Sequence, residues 1–474
     1  MKLIYDVHDK PKFPQLIVFA IQQLLAIMAA TLVVPVIVGN GMSPAAALFG
    51  AGIGTLVYLL FTKGKSPVFL GSSFAFLGSM AAAFAGGVSM SLGYLGLILG
   101  AVLAGLVYVI IAAIVKVAGV GWLNKLMPPV VIGPTVAIIG LSLAGNAVGD
   151  LQKGGLMENL WGYVVTDASS GAVELQSTSV SVANPLICLL IGIITLFVVV
   201  LCSTYGKKMT KLIPFIIGIL AGYAVAAVFT IIGNVADIDA LKVINVGAIT
   251  SLWDGGVSLS TFVAVPEFTF LTALGGFKEF NWTYLGTIAM AYVPVAFVVF
   301  AEHVADHKNI SSIIGRDLLE EPGLSNTLLG DGVGSMAGAL FGGCPNTTYG
   351  ESVACVAITR NASVATIFTT AILAILISFL SPFVAFVNSI PACVMGGVCV
   401  ALYGFIAVSG LKMVQKVDLG QNKNLFVVST ILICGIGGLS VSFGKITITA
   451  IATALILGII VNLMLNKAKD EAEN

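Results

Sequence analysis

The chain has 474 residues, of which 58% are apolar and only 9% are charged. About a quarter of the residues in soluble proteins are charged, so this composition excludes a soluble globular protein and indicates one that crosses a membrane many times. The formal net charge is zero and no basic patch is evident, which argues against a nucleic-acid partner.

The N-terminal residues MKLIYDVHDKPKFPQ are polar, and no cleavage site follows a short apolar run, so we expect no signal peptide. All seven cysteines fall inside or at the ends of apolar segments, and none forms a CxxC or zinc-ligand pair. They therefore predict neither a loop disulfide nor a metal site. We expect no cofactor.

Fourteen apolar runs of about spanning length follow one another along the chain. They start near residues 14, 45, 68, 92, 129, 184, 212, 284, 326, 346, 362, 391, 424 and 445. With the N-terminus in the cytoplasm, eighteen Lys and Arg residues fall inside, and four fall outside, namely Lys153, Lys242, Lys278 and Lys445. Because basic residues favour the cytoplasmic side, we predict an all-α polytopic protein of the cytoplasmic (inner) membrane with both termini inside.

A long polar interval divides these runs into two sets. Residues 1–233 and 284–474 would each form seven spans, joined by an extracytoplasmic loop at 234–283. Because an odd number of spans precedes this loop, the second half would be inserted upside down. This is the inverted-repeat plan of secondary transporters.

The third span of each half is broken in a similar way. SPVFLGSSFAF (66–76) and CPNTTYGESVACV (344–356) each open with a proline, run through a few extended residues and reach a glycine, Gly71 or Gly350. Non-helical backbone inside a bilayer must be paired within the protein, so we expect two short antiparallel strands at a common site. On this model, one set of residues faces another across a small cavity: Ser72, Ser73 and Phe74 on one side, and Tyr349, Gly350 and Glu351 on the other.

Glu351 stands at the start of the helix that resumes after the second break. An acid inside a membrane is costly and usually functional, so we interpret Glu351 as a hydrogen-bond acceptor for a ligand. The alternative is a structural role, in which Glu351 only ties helices together.

The eighth span ends in PVAFVVFAEHVADHKN (294–309), where Glu302 follows eight apolar residues and Asp306 lies one helical turn later. Two carboxylates on one face repel each other when both are charged, an arrangement that suits proton uptake and release. Alternatively, Asp306, His307 and Lys308 form a solvated helix end at the cytoplasmic interface, an interpretation that we favour for His307 and Lys308. HVADH also weakly matches the zinc-hydrolase pattern HxxEH, which leaves an intramembrane metallohydrolase through His303, Asp306 and His307 as a remote alternative.

Asp331 opens the ninth span, LLGDGVGSMAGALFGG (328–343), where small residues recur at helix-packing spacing. Asp331 either lines the site or orients the broken segment by hydrogen bonds; the alternative is that it caps the span.

The chain resembles the nucleobase–ascorbate transporter family, in particular its bacterial uracil permeases, over nearly its whole length. The resemblance is carried by QQLLAIMAATLVVPVI (22–37), KGKSPVFLGSSFAF (63–76), AEHVADH (301–307) and GCPNTTYGESVACVAITR (343–360). It implies fourteen spans in a core domain (about 14–115 and 284–389) and a gate domain (about 129–233 and 391–466). It also implies proton-coupled nucleobase uptake by alternating access, commonly by homodimers.

The resemblance further implies roles for individual residues. Glu302 and Glu351 match the two glutamates that hydrogen-bond the base, and Phe74 matches the aromatic residue that packs on the base. Wall or backbone contacts with the base would come from Ala30, Ser73, Tyr349 and Gly350. Proton coupling would involve Glu302, Asp306 and Asp331.

Some positions depart from the family pattern. Ser352 and Ala354 stand where Asn and Gly are usual, and Asp306 stands where uracil transporters often have His. Asp306 and Asp331 are shared with xanthine transporters, whereas those proteins tend to carry Gln at the position of Glu351. The side chain that touches the base should be a better indicator of the substrate than the residues around it. Glu351 therefore leads us to predict uracil, with xanthine or another purine as the alternative.

Two other transport classes fit the sequence less well. A channel would need a continuous polar pore. An anion transporter would be disfavoured by a carboxylate at Glu351, because like charges repel.

Overall fold

The computed structural model describes residues 3–119, 128–167, 172–207, 209–443 and 446–465. These residues are mostly helical, and eight of the described helices are long and apolar enough to cross a membrane. The predicted all-α polytopic membrane protein is therefore confirmed. Lys445, one of the four basic residues assigned to the outer side, lies outside the described residues.

The first half of the chain, in sequence order, contains the following described elements: helices α1 (Phe13–Val38) and α2 (Pro44–Phe61), strand β1 (Leu70–Ser72), a 3-10 turn (Phe74–Phe76), helices α3 (Leu77–Ala83), α4 (Met90–Ala118), α5 (Pro129–Ser142) and α6 (Ala144–Asp150), strands β2 (Met157–Asp167) and β3 (Ala172–Ser181), and helices α7 (Pro185–Tyr205), α8 (Met209–Leu212) and α9 (Pro214–Ala236).

The second half begins with a run of short helices in the interval predicted to be a loop. Its described elements are helices α10 (Gly247–Thr250), α11 (Leu259–Phe262), α12 (Thr269–Ala273), α13 (Trp282–Ile314) and α14 (Leu324–Gly342), strand β4 (Asn346–Thr348), helices α15 (Gly350–Thr359), α16 (Val364–Ser378), α17 (Ser381–Ser389), α18 (Ala392–Val414) and α19 (Asn422–Ile436), strands β5 (Val441–Phe443) and β6 (Ile446–Ile448), and helix α20 (Ala450–Leu465).

Several long helices start with a polar cap followed by proline. Ser43 accepts a hydrogen bond from the Ala46 backbone N–H, and Pro44 occupies the first helical position of α2. Asn184 and Pro185 open α7 in the same way. The cap satisfies a free backbone N–H, and proline costs nothing at a position whose N–H has no intrahelical partner.

The two broken spans pair as predicted. Strands β1 and β4 are antiparallel, with Leu70 opposite Thr348 and Ser72 opposite Asn346, and every strand residue is buried. The prediction of short strands in the third and tenth segments is thus confirmed. Two further hairpins, β2–β3 and β5–β6, were not predicted from the sequence.

The described residues fall into two compact units. One lies within Met1–Leu143, Phe262–Val384 and Leu402–Asn474, and the other within Ala144–Thr261 and Ala385–Ala401. The paired breaks and all predicted site residues belong to the first unit.

Glycines let α14 pack closely against both α2 and α4. A side chain at Gly50 of α2 would collide with the Gly338 carbonyl of α14, and one at Gly332 would meet the Gly105 carbonyl of α4 at 2.9 Å. Such direct backbone contact is the usual role of small residues between membrane helices. The contact leaves Asp331 fully buried within the unit.

Candidate functional site

The backbone of the two breaks is held by hydrogen bonds beyond the strand pairs. Ser73 donates its N–H to the Pro345 carbonyl at 2.9 Å, and Tyr349 donates its N–H to the Phe69 carbonyl at 3.3 Å. Each break therefore satisfies polar groups of the other, as non-helical chain at membrane depth requires. The helical turns that follow begin at Phe74 and Gly350, so each starts within two residues of its strand.

Three polar side chains that sequence reasoning missed secure strand β1. The Thr55 hydroxyl accepts from the Leu70 N–H at 2.9 Å, and the Ser352 hydroxyl accepts from the Phe69 N–H at 3.1 Å. Gln23 of α1 donates to the same Ser352 oxygen at 2.6 Å. Ser352, noted above only as a departure from the family pattern, thus joins α1, β1 and α15.

Tyr349 packs across strand β1. Its hydroxyl donates to the Ser72 carbonyl at 2.7 Å and lies 3.5 Å from the Thr31 hydroxyl, next to the buried Ala30 of α1. Its ring covers Gly71 so closely that a side chain there would collide with the ring. Glycine at position 71 is therefore required by packing.

Replacing Gly71 by alanine should displace the Tyr349 ring, because the added methyl group overlaps it. We expect a loss of stability of about 1–3 kcal/mol, the usual cost of overpacking. Thermal unfolding in detergent would measure this loss. Gly78→Ala in α3 is the control, because nothing lies within 4 Å of that site. Equal stability of both variants would contradict the packing argument.

Three acidic side chains form what we call the carboxylate cluster: Glu302, Asp306 and Glu351. Glu302 interacts electrostatically with both Asp306 and Glu351, and the Thr348 hydroxyl of β4 donates to Asp306 Oδ2 at 2.8 Å. All three side chains are only partly buried, unlike the strands beside them. The cluster can therefore meet a ligand.

Glu351 lies in the first turn of α15, next to the exposed Gly350. Free backbone N–H groups and the positive end of the helix dipole favour a carboxylate at this position. The same N–H groups can also donate to carbonyl oxygens of a ligand.

Phe74 begins the 3-10 turn after β1 and is partly buried, whereas its neighbour Ser73 is buried. The Phe74 ring meets the ring of Tyr403 edge to face, with centroids 6.1 Å apart. Tyr403 was not singled out from the sequence, because a lone tyrosine in an apolar helix carries no signal of its own.

Asp331 lies inside α14 rather than at its start. The capping role considered above is therefore wrong. Its Oδ2 lies 2.6 Å from His303 Nδ1, and His303 Nε2 lies 3.0 Å from the Thr327 hydroxyl. Asp331 and His303 are both fully buried, so neither side chain is accessible, unlike those of the carboxylate cluster.

The histidines do not form a metal site. His303 uses both ring nitrogens as described, and His307 uses Nδ1 at the His303 carbonyl (2.8 Å) and Nε2 at the Tyr58 hydroxyl (2.7 Å). No group of acidic, histidine or cysteine side chains within the described residues is arranged to hold a metal ion. The alternative of a metallohydrolase through His303, Asp306 and His307 is not supported.

A known family model and several known proteins match this chain over most or all of its length. A model described as "Permease family" matches residues 14–443. The chain is 37% identical to the uracil permease of Bacillus caldolyticus, covering 100% of this chain and 97% of the relative. It is 38% identical to that of Bacillus subtilis (strain 168), covering 99% and 97%, and 35% identical to that of Escherichia coli (strain K12), covering 96% and 92%.

Solved structures with the same fold are more distant in sequence. The transmembrane domain of the cyanobacterium bicarbonate transporter BicA aligns with a TM-score of 0.60 at 14% identity, covering 97% of this chain and 100% of that chain. The murine Solute Carrier 26 family member A9 anion transporter in the inward-facing state aligns with a TM-score of 0.62 at 9% identity, covering 97% and 69%. At such identities the likeness concerns the fold alone.

Proposed function

Because the chain belongs to the Permease family, we propose that it takes up uracil together with protons, by alternating access across the cytoplasmic membrane. It is a multi-pass membrane transporter and not an enzyme. The full-length uracil permease relatives support uracil as the substrate.

One observation carries the proposal at the level of chemistry: Glu351 lies in the first turn of the helix that follows strand β4, and Thr348 of that strand donates a hydrogen bond to Asp306, one helical turn from Glu302. Uracil offers two N–H donors and two carbonyl acceptors. Carboxylates accept from the N–H groups, while backbone N–H groups or a protonated acid donate to the carbonyls.

We propose the following roles for individual residues, which are supported by the family resemblance and agree with this chemistry. Glu351 accepts from uracil N–H groups, Glu302 bonds the opposite edge of the base, and Phe74 supplies a flat apolar surface. Wall and backbone contacts come from Ala30, Ser73, Tyr349 and Gly350. Glu302, with Asp306 and Asp331 behind it, takes up and releases the coupled proton.

The arrangement in the membrane is also part of the proposal. Fourteen spans form two inverted repeats, 1–233 and 284–474, with both termini in the cytoplasm. A core domain (about 14–115 and 284–389) moves against a gate domain (about 129–233 and 391–466). A homodimer stays a prediction.

A xanthine or other purine transporter is the second candidate, because Asp306 and Asp331 are shared with that branch. Asp306 accepts a hydrogen bond from Thr348 within the carboxylate cluster, whereas Asp331 is paired with the buried His303. Because we assign the contact with the base to Glu351, uracil is preferred. Although the fold resembles that of anion transporters, three carboxyl groups in the site would repel an anion.

Uptake of labelled uracil by cells lacking their own permease tests the proposal. We expect uptake that an uncoupler abolishes and that excess xanthine leaves unchanged. Uptake blocked by xanthine would instead favour the purine alternative. Uptake insensitive to the uncoupler would overturn proton coupling.

A further inference from the structure

Residues 262–280, which we call the joining segment, lie in the interval that the sequence predicts to be an extracytoplasmic loop. The segment contains the short helix α12 (Thr269–Ala273), followed directly by a 3-10 turn (Leu274–Lys278). Glu267 is the only charged residue among positions 262–277. Loops that lie in water are generally polar, so this composition needs an explanation.

Backbone and ring contacts hold the joining segment against the unit to which it belongs. Ala264 donates its N–H to the carbonyl of Phe379, which follows α16, at 2.9 Å. The ring of Phe268 packs against those of Phe49 in α2 and Phe341 in α14, with centroids 4.8 and 5.4 Å apart. The segment is therefore a packed part of the fold and has a defined inner side.

The inner side of the joining segment carries small residues. Thr269, Ala273 and Gly276 recur at helical spacing, and all three are buried. A side chain at Gly276 would collide with the backbone of Ser91 at the start of α4, and one at Gly343 would lie 2.9 Å from the Thr269 hydroxyl. Small residues on this side let the segment approach other backbone closely.

The outer side of the segment carries large apolar residues. Leu271, Leu274 and Phe277 follow one another at intervals of three, and their exposed fractions are 55%, 62% and 63%. None of the three is a residue that the proposed uracil site uses. We call these three residues the apolar face.

This arrangement is the reverse of that in a helix on the surface of a soluble protein. There, large apolar residues turn inward and polar residues face water. Helices in membranes place small residues against their neighbours, because lipid is as apolar as leucine and gives large apolar side chains no reason to turn inward. The apolar face therefore has the pattern of a surface that lipid covers.

The contacts of the segment place it near the membrane boundary. Ser91 lies in the first turn of α4, and Phe341 lies in the last turn of α14. Trp282, the first residue of α13, is 81% exposed, and its ring meets that of Phe280 edge to face at 5.9 Å. Tryptophan is enriched where a membrane meets water, so the segment runs at the level of this interface.

We propose that the joining segment lies in the membrane–water interface, with the apolar face in contact with the acyl chains of lipids. Helices of this kind bury one side by about 5–10 Å into the boundary between headgroups and acyl chains. The proposed orientation of the chain makes this the outer leaflet. The contact with lipid itself depends neither on that orientation nor on the proposed transport of uracil.

The two other possible surroundings of the apolar face are water and a second copy of the chain. Lipid is favoured because the segment adjoins exposed residues of two helices that are long and apolar enough to cross the membrane. Met90, next to Ser91 at the start of α4, is 46% exposed, and Trp282 starts α13. The apolar face thus continues a surface that lipid already surrounds.

Spin labels on single cysteines test what surrounds the apolar face. The two partly exposed native cysteines, Cys202 and Cys434, are first replaced by alanine. Leu271→Cys, Phe277→Cys and Glu279→Cys are then made separately, labelled and placed in lipid nanodiscs. Glu279→Cys is the matched control, because Glu279 is exposed and charged and lies close to Phe277 in the chain. Thermal unfolding shows that each variant retains the fold.

Relaxation of each label by oxygen, which concentrates in lipid, is compared with relaxation by a water-soluble nickel chelate. At positions 271 and 277 we expect oxygen to be at least threefold more effective than the chelate, and at position 279 we expect the reverse. Relaxation by the chelate at 271 and 277 that equals the value at 279 would place the apolar face in water and overturn the proposal. Weak relaxation by both agents would show that protein covers the face, as in a dimer, and would overturn it too.

The reaction of the unlabelled cysteines with a charged maleimide gives a second measurement, free of any preference of the spin label for lipid. Maleimides react with the thiolate, and a thiol surrounded by apolar groups stays protonated. In nanodiscs we expect Phe277→Cys to react at least tenfold more slowly than Glu279→Cys, and in denaturant we expect equal rates. Equal rates in nanodiscs would contradict the proposed contact with lipid, whatever the substrate of the transporter.

Discussion

Replacing Glu351 by glutamine should weaken uracil binding by about 2–3 kcal/mol, or roughly 30- to 150-fold in Kd. Glutamine has nearly the shape of glutamate, but it replaces one acceptor oxygen by an amide donor. That donor faces a uracil N–H, so one charge-assisted hydrogen bond is lost and two donors oppose each other. We expect xanthine to compete better in the variant than in the wild type.

Binding of labelled uracil to the purified variant, with xanthine as competitor, measures both effects. Glu279→Gln is the matched control, because Glu279 is exposed and lies outside the proposed site. The result that would contradict the assignment is an unchanged uracil affinity in Glu351→Gln, since Glu351 would then not touch the base.

Replacing Glu302 by glutamine should abolish proton-driven accumulation of uracil while leaving exchange largely intact. Glutamine retains a hydrogen-bonding side chain beside Asp306 and Glu351, but it does not exchange a proton. A transporter that binds its substrate without exchanging the coupled proton can equilibrate the substrate and cannot concentrate it. We expect accumulation to fall to the level seen with an uncoupler.

The comparison with Asp306→Asn locates the essential proton. Asp306 accepts from Thr348, so its asparagine variant should bind uracil and lose only part of the accumulation. If Glu302→Gln accumulates uracil normally and Asp306→Asn does not, the proton site lies at Asp306, and the role assigned to Glu302 is wrong.

The paired breaks were predictable from the sequence because they solve a local problem. Proline and glycine in matching positions of two apolar segments indicate non-helical chain, and such chain needs a hydrogen-bonding partner inside a membrane. A second break of the same kind can supply one. The placement of Glu302 and Asp306 one turn apart on a single helix was predictable for a similar reason, since helical periodicity alone decides it.

The contacts that hold the site were not predictable, because their partners are distant in sequence and carry no pattern. Gln23 and Ser352 are separated by 329 residues, and neither stands in a recognisable motif. His303 and Asp331 are closer, at 28 residues. Even so, helical periodicity does not reveal which of several polar residues on neighbouring helices will meet, because that depends on the glycine contacts of α14 with α2 and α4.

The pairing of β1 with β4 has a consequence for synthesis at the ribosome. Tyr349 and Ser72 are separated by 277 residues, which take roughly 15 to 55 s to translate at about 5–20 residues per second. During that time the first break has no partner strand, and each unsatisfied backbone group in lipid costs several kcal/mol. Until β4 has been synthesised, the backbone groups of the first break therefore need hydrogen bonds from water or from the insertion machinery. The fold is completed only late in synthesis.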